Sequence, residues 1–114
     1  MEQLFNLFKS FGLPYFRQGS LSDKEYPPEF FTYWNIDTPN MSFYDNKARR
    51  YAEYVMVGFY TTDAKAVYTK LDEFAQVAES NGFVLEGRPK DASADKVNYY
   101  GRVCYFRIIH KTEV

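Results

Sequence analysis

The stretch RRYAEYVMVGFYTTDAKAVYTKLDEFAQVAESNG, residues 49–82, decides the fold. Its first part, residues 49–60, alternates. Tyr51, Glu53, Val55, Val57 and Phe59 fall on one side, and Ala52, Tyr54, Met56, Gly58 and Tyr60 on the other. A side-chain period of two is the signature of a strand. Both sides become apolar toward the C-terminal half, which predicts a central strand covered on both faces there. Thr62 or Asp63 then supplies a helix N-cap, because a short side-chain oxygen at that position accepts an orphan N–H of the first turn. Across residues 64–80, Val67, Tyr68, Leu71, Phe74, Ala75 and Ala78 make one apolar stripe at helical spacing. Asn81-Gly82 closes that helix as a C-cap pair.

Working outward, Leu4, Phe5, Leu7, Phe8 and Phe11 are also helically spaced, with Gly12 and Pro14 as stop signals. Residues 13–19 read as extended. Residues 20–29, which end in the Pro27-Pro28 pair and Glu29, read as a flexible loop. Residues 30–35, Phe-Phe-Thr-Tyr-Trp-Asn, are aromatic and β-branched and predict a strand. Turn residues follow at 36–40 and again at Asp45-Asn46. Beyond the second helix, residues 83–85 predict a short strand, 87–98 a polar flexible loop, and 99–111 a final long strand. The expected order is α-β-β-β-α-β-β. It implies one α+β domain over 1–114, with two helices on an antiparallel or mixed sheet of about four to five strands.

Composition narrows the function classes. The chain has 114 residues, 46% hydrophobic and 25% charged, which is globular. The aromatic share of 20% is high for a core this small. It predicts rings at the surface in contact with a partner. A net charge of −1 offers no broad basic footprint for nucleic acid. Cys104 is the single cysteine, so neither an internal disulfide nor a cysteine-based zinc cluster is expected. The apolar runs are too short for a membrane span, and residues 1–11 lack the basic and continuous apolar segments of a signal peptide.

Catalytic constellations are not apparent. His110 is the single histidine; as a general base it would need an orienting carboxylate and a nucleophile, and the sequence alone places neither next to it. Cys104, amid Val103, Tyr105 and Phe106, reads as a buried thiol. Asp91, Ser93 and Asp95 share a loop but lack the alternating acidic pattern of a calcium loop. Asp37 and Asp45 suit turns. No catalytic residue, cofactor or metal is therefore expected, and the chain reads as a non-enzyme. Two alternatives stand beside a self-assembling role. One is an aromatic-rich module for single-stranded nucleic acid using Tyr105 or Arg107, suggested by residues 101–106. The other is a generic homo-oligomeric binding protein. A small enzyme with an unrecognised site would instead need converging carboxylates.

Several phrases, taken in order, carry a family likeness. They are Phe31-Thr32-Tyr33-Trp34-Asn35-Ile36-Asp37-Thr38-Pro39, then Phe43-Tyr44-Asp45-Asn46, then Val57-Gly58-Phe59-Tyr60-Thr61-Thr62-Asp63, then Asn81-Gly82-Phe83 and Gly101-Arg102. Together they resemble small head–tail morphogenesis proteins of long-tailed phages and prophages of Gram-positive bacteria, similar to the tail-terminator and tail-to-head joining proteins. The resemblance implies a virion protein made in the host cytoplasm and placed at the head–tail junction. It implies α+β subunits assembled into homo-oligomeric rings, commonly hexamers, that meet the tail tube and the head connector. It carries no enzymatic activity. Tyr33, Trp34, Phe43, Tyr44, Arg49 and Arg50 are the candidate interface residues, the two arginines pairing with acidic loop residues of a neighbour.

Overall fold

The structure, a computed structural model, describes residues 2–18, 27–37, 50–92 and 98–111. Helix α1 (Glu2–Phe11) leads to the short strand β1 (Tyr15–Arg17), then β2 (Glu29–Asp37) and β3 (Arg50–Thr61). Helix α2 (Ala66–Ser80) follows, then β4 (Val84–Leu85), β5 (Lys90–Ala92) and β6 (Tyr100–Lys111). The sheet runs β1-β2-β3-β6-β4, with β5 also paired to β6. β1 lies parallel to β2 and the other pairings are antiparallel. The fold is α+β, two helices on a six-stranded mixed sheet.

Strand β3 is central, as its two apolar faces predict. It pairs along its full twelve residues with β6 and along most of its length with β2. Both helices pack on one face of the sheet. There Phe31, Val55, Val57, Phe59, Cys104, Phe106 and Ile108 meet Leu4, Leu7 and Phe8 of α1 and Val67, Leu71, Phe74, Ala75 and Ala78 of α2. Aromatic rings dominate this core. Phe8 stacks on Phe31 at 5.0 Å and on Phe74 at 5.3 Å between ring centroids. Burying one such ring stabilises by roughly 1.5–3 kcal/mol relative to leaving it in water, so this layer supplies much of the driving force.

Helix α2 ends as expected. Gly82 adopts φ +90°, its N–H bonds Glu79 O at 3.1 Å, and Phe83 N–H bonds Ala78 O at 3.0 Å. This is a Schellman closure, with Phe83 buried as its apolar lock. A Cβ at position 82 would meet open space, so the penalty of Gly82→Ala is backbone strain alone. We expect a loss of about 1 kcal/mol in urea unfolding with an unchanged fold. A neutral result would mean that the left-handed turn is dispensable.

Four readings are corrected. The helix begins later than Thr62 or Asp63 would place it: Lys65 is the N-cap and makes no side-chain cap bond. Asp63 instead accepts the Lys65 N–H at 2.9 Å, and Thr61 accepts the Asp63 N–H at 3.0 Å, so the short side chains build the turn before the helix. Tyr68 leaves the buried stripe and is 54% exposed, because its ring lies 5.2 Å from the Arg102 guanidinium at the stripe's edge. Strand β2 is longer at both ends than read: Glu29 belongs to it rather than to the preceding loop, and Ile36 and Asp37 belong to it rather than to a turn. The strand runs on past a register shift between Asn35 and Asp37, while residues 38–40 lie outside the described residues. Residues 87–98 are not one loop, since Lys90–Ala92 pair with β6 as a sixth strand.

Candidate interaction face

Strand alternation sends neighbours to opposite sides of a sheet, and this separates the two adjacent aromatic candidates. Tyr33 lies on the helix side, its ring 5.1 Å from Phe5 and 6.3 Å from Phe8, as a partly buried flank of the core. Trp34 lies on the other side and is 41% exposed. Phe43, Tyr44 and Arg49 lie outside the described residues, as do Asp45, Ser93 and Asp95. Arg50 is the first residue of β3, directly opposite Lys111, and His110 stands opposite Tyr51.

No described helix covers the Trp34 side of the sheet. One end of it is closed by rings instead. Phe30 stacks on Tyr60 at 5.4 Å, with Phe16 and Tyr99 at 5.9 and 6.0 Å from Phe30. The Tyr99 hydroxyl bonds Pro27 O at 2.8 Å, which holds the cluster down. Phe30 and Tyr60 are buried as a result. At the other end no ring cluster of this kind is present among the described residues. Trp34, Met56 and Tyr105 form one cross-strand row over β2, β3 and β6. Ile109 is exposed further along β6, and Ile36 is exposed at the bulge where the β2 register shifts.

A cation caps each end of the row. The Arg17 guanidinium lies 5.3 Å from the Trp34 ring, and Lys90 Nζ lies 5.4 Å from the Tyr105 ring. Such contacts are worth about 0.5–1 kcal/mol at exposed sites. Arg107, on the same face, is paired with Glu86 at 3.3 Å.

The phrase Gly101-Arg102 has a structural role. The Arg102 side chain is 13% exposed on the helix side and bridges layers. It donates to Tyr68 O at 3.2 Å and Pro89 O at 3.2 Å, and it lies 3.5 Å from Asp72 and 3.6 Å from Asp91. It thereby fastens β5 and the segment before it to α2, and Asp91 is spent as its counter-charge.

Cys104 is buried in the core, and burial pushes its thiol well above the ordinary range. A neutral thiol is a poor nucleophile. Among the described residues, no group of three His, Cys, Asp or Glu side chains could hold a metal. No described helix is long and apolar enough to cross a membrane.

Sequence reasoning missed Met56 and Ile109 as members of the open face. The alternation of β6 through Val103, Tyr105, Arg107 and Ile109 was the available signal. Which face the helices leave bare is a tertiary fact that the alternation does not encode. Compared with known proteins, the sequence matches no family model and no curated protein.

Proposed function

We propose that this chain is a virion structural protein, a ring-forming tail-terminator or head–tail joining subunit at the head–tail junction of a long-tailed phage or prophage. The observation that carries the reading is the one-sided sheet. Both helices lie on one face, and the other exposes Trp34 and Ile109 beside Met56 and Tyr105. A contiguous apolar patch with a polar and charged rim suits contact with another protein surface. Trp and Tyr are the side chains that most often anchor such contacts. The family resemblance carried by residues 31–39, 57–63 and 81–83 supplies the assembly context, and a ring of identical subunits supplies the partner.

The test is Trp34→Ser. Trp34 is half exposed and outside the core, so its melting temperature is expected to stay within a few degrees of wild type. Self-association, followed by native mass spectrometry and sedimentation velocity over rising concentration, is expected to weaken at least tenfold. Wild type that forms rings which Trp34→Ser leaves intact would remove this face from the assembly.

The cations on Trp34 and Tyr105 favour one second reading, a stacking platform for single-stranded nucleic acid. The same preparation decides it. Salt-sensitive binding of a labelled oligonucleotide that Tyr105→Ala abolishes would select the platform, and no binding at low salt would dispose of it.

A further inference from the structure

The helix layer carries a groove of its own. Gln3, Asn6 and Leu7 of α1 line it together with Val77 of α2, Asn81 at the helix end and Phe83, and it holds about 400 Å³. The apolar part of the lining is the buried Leu7 and Phe83 with the exposed Val77. The polar part is amide: Gln3, Asn6 and Asn81, all exposed. Asn81 Nδ2 donates to Val77 O at 2.8 Å, which leaves its Oδ1 as an acceptor for another donor. Such a lining matches an aromatic side chain with one polar hydrogen, because that hydrogen needs an acceptor once the ring is buried. Aromatic anchors seated in pockets are also the usual strong points of protein–protein contacts.

This chain presents such a side chain on its other face. Among the described residues, the exposed aromatic rings are Trp34, Tyr68 and Tyr100. Tyr68 and Tyr100 lie on the helix side, the first against Arg102 and the second in register with Thr61. Trp34 alone stands on the side that no described helix covers. The sheet separates it from the groove, so a copy cannot seat its own Trp34. Charge agrees with the match. The Arg17 guanidinium accompanies Trp34 at 5.3 Å from its ring. On the groove side, the exposed Glu73 stands one turn before Val77 on the same face of α2. Lys70, the single base of α2, lies a further turn back.

We infer that the α1/α2 groove seats Trp34 of a second copy of this chain, with Arg17 brought beside Glu73. The inference rests on the self-assembly reading above and adds its polarity. The bare sheet face of one subunit lies on the helix layer of the next, a heterologous contact that closes into a ring when the rotation permits. A face-to-face dimer of two bare faces is disfavoured, because Arg17 and Lys90 at the two ends of the Trp34 row would meet cations of the same sign.

The test places a cation in the groove, by Val77→Lys in its lining and separately by Asn6→Lys at its rim. Both positions are exposed, so both variants are expected to melt within a few degrees of wild type. Each is expected to weaken self-association at least tenfold in sedimentation velocity and native mass spectrometry. Trp34→Ser lacks the ring and keeps the groove, whereas Val77→Lys lacks the groove and keeps the ring. Mixed, the two are expected to form one-to-one dimers that grow no further. Trp34 is the single tryptophan, so the emission of Val77→Lys is expected to move to shorter wavelength as Trp34→Ser is added. Should Val77→Lys melt early, Asn6→Lys takes its place in the mixture. Groove variants that associate like wild type, while Trp34→Ser does not, would overturn the groove and leave the Trp34 face standing. Disrupted variants whose mixture neither dimerises nor shifts the emission would overturn the seating of Trp34. A wild type that stays monomeric at millimolar concentration would overturn both readings.

Discussion

Phe74→Ala is expected to cost about 3–5 kcal/mol, the range for removing a fully buried aromatic ring that leaves a cavity behind. Phe74 is 0% exposed, and its ring is where the layers meet. It lies 5.3 Å from Phe8 and 5.4 Å from Phe11 of α1, 5.0 Å from Phe31 of β2, and 6.0 Å from Phe106 of β6. Stiff rings collapse poorly into a void, so the loss sits toward the upper end. A domain of this size is stable by only about 5–15 kcal/mol, so the variant melts on the order of 15–25 °C lower. Urea unfolding followed by fluorescence reads the change directly. Val77→Ala, on the exposed side of the same helix, is the control and is expected within about 0.5 kcal/mol of wild type. A loss below about 1.5 kcal/mol for Phe74→Ala would show that the surrounding rings repack, and would remove it as the junction of the two layers.

The same residue shows why much of the fold was legible. Phe74 belongs to a stripe set by helical spacing, and Val55, Val57 and Phe59 belong to a strand set by alternation. Periodicity records which residues face a core, so α2, β3 and the aromatic helix α1 could be read directly. Elements held by their neighbours could not. Lys90–Ala92 has no apolar face and no alternation; it becomes β5 because β6 offers it an edge and Arg102 fixes Asp91 and Pro89 beside it. The helix start shifted for a related reason. Asp63 and Thr61 satisfied backbone N–H groups in the turn, so the helix proper began at Ala66. Tyr68 has the spacing of a core residue, yet a tyrosine at the stripe's margin gains more from the Arg102 guanidinium and from solvent at its hydroxyl.

The candidate face was legible only in part. Tyr33 and Trp34 are adjacent in a strand, so they had to part company. Deciding which of them met the core required knowing that both helices lie on one side. Arg50 could be placed at a strand entrance, but its apposition to Lys111 is a register fact. So is the placement of Glu29 opposite Thr61, at the far end of the same strand.

Gly101→Ala tests the other, ring-closed part of the bare face, and its effect is expected to depend on Tyr60. Tyr60 stands directly opposite Gly101 in the β3–β6 register. It lays its ring across the sheet where a side chain would otherwise stand. A Cβ at position 101 would fall 2.5 Å from Tyr60 Cε1 and 2.7 Å from Cδ1, with Ala92 O at 3.1 Å. Tyr60 cannot simply withdraw, because its other side is stacked on Phe30 at 5.4 Å. Overpacking of this kind costs about 1–3 kcal/mol, and Gly101→Val is expected at or beyond the top of that range. In a Tyr60→Ala background the obstacle is gone. Adding Ala at 101 is then expected to be nearly neutral, since a glycine in a strand also loses more chain entropy on folding than alanine does. The difference between the two backgrounds, a coupling of about 1–3 kcal/mol, is the quantity that denaturation of the four proteins measures. Additive losses would place the clash with Ala92 O in β5 rather than with the ring. A coupled result would establish that the glycine exists to seat Tyr60, so that stacked rings close this end of the face, whereas Trp34 and Ile109 are exposed further along it.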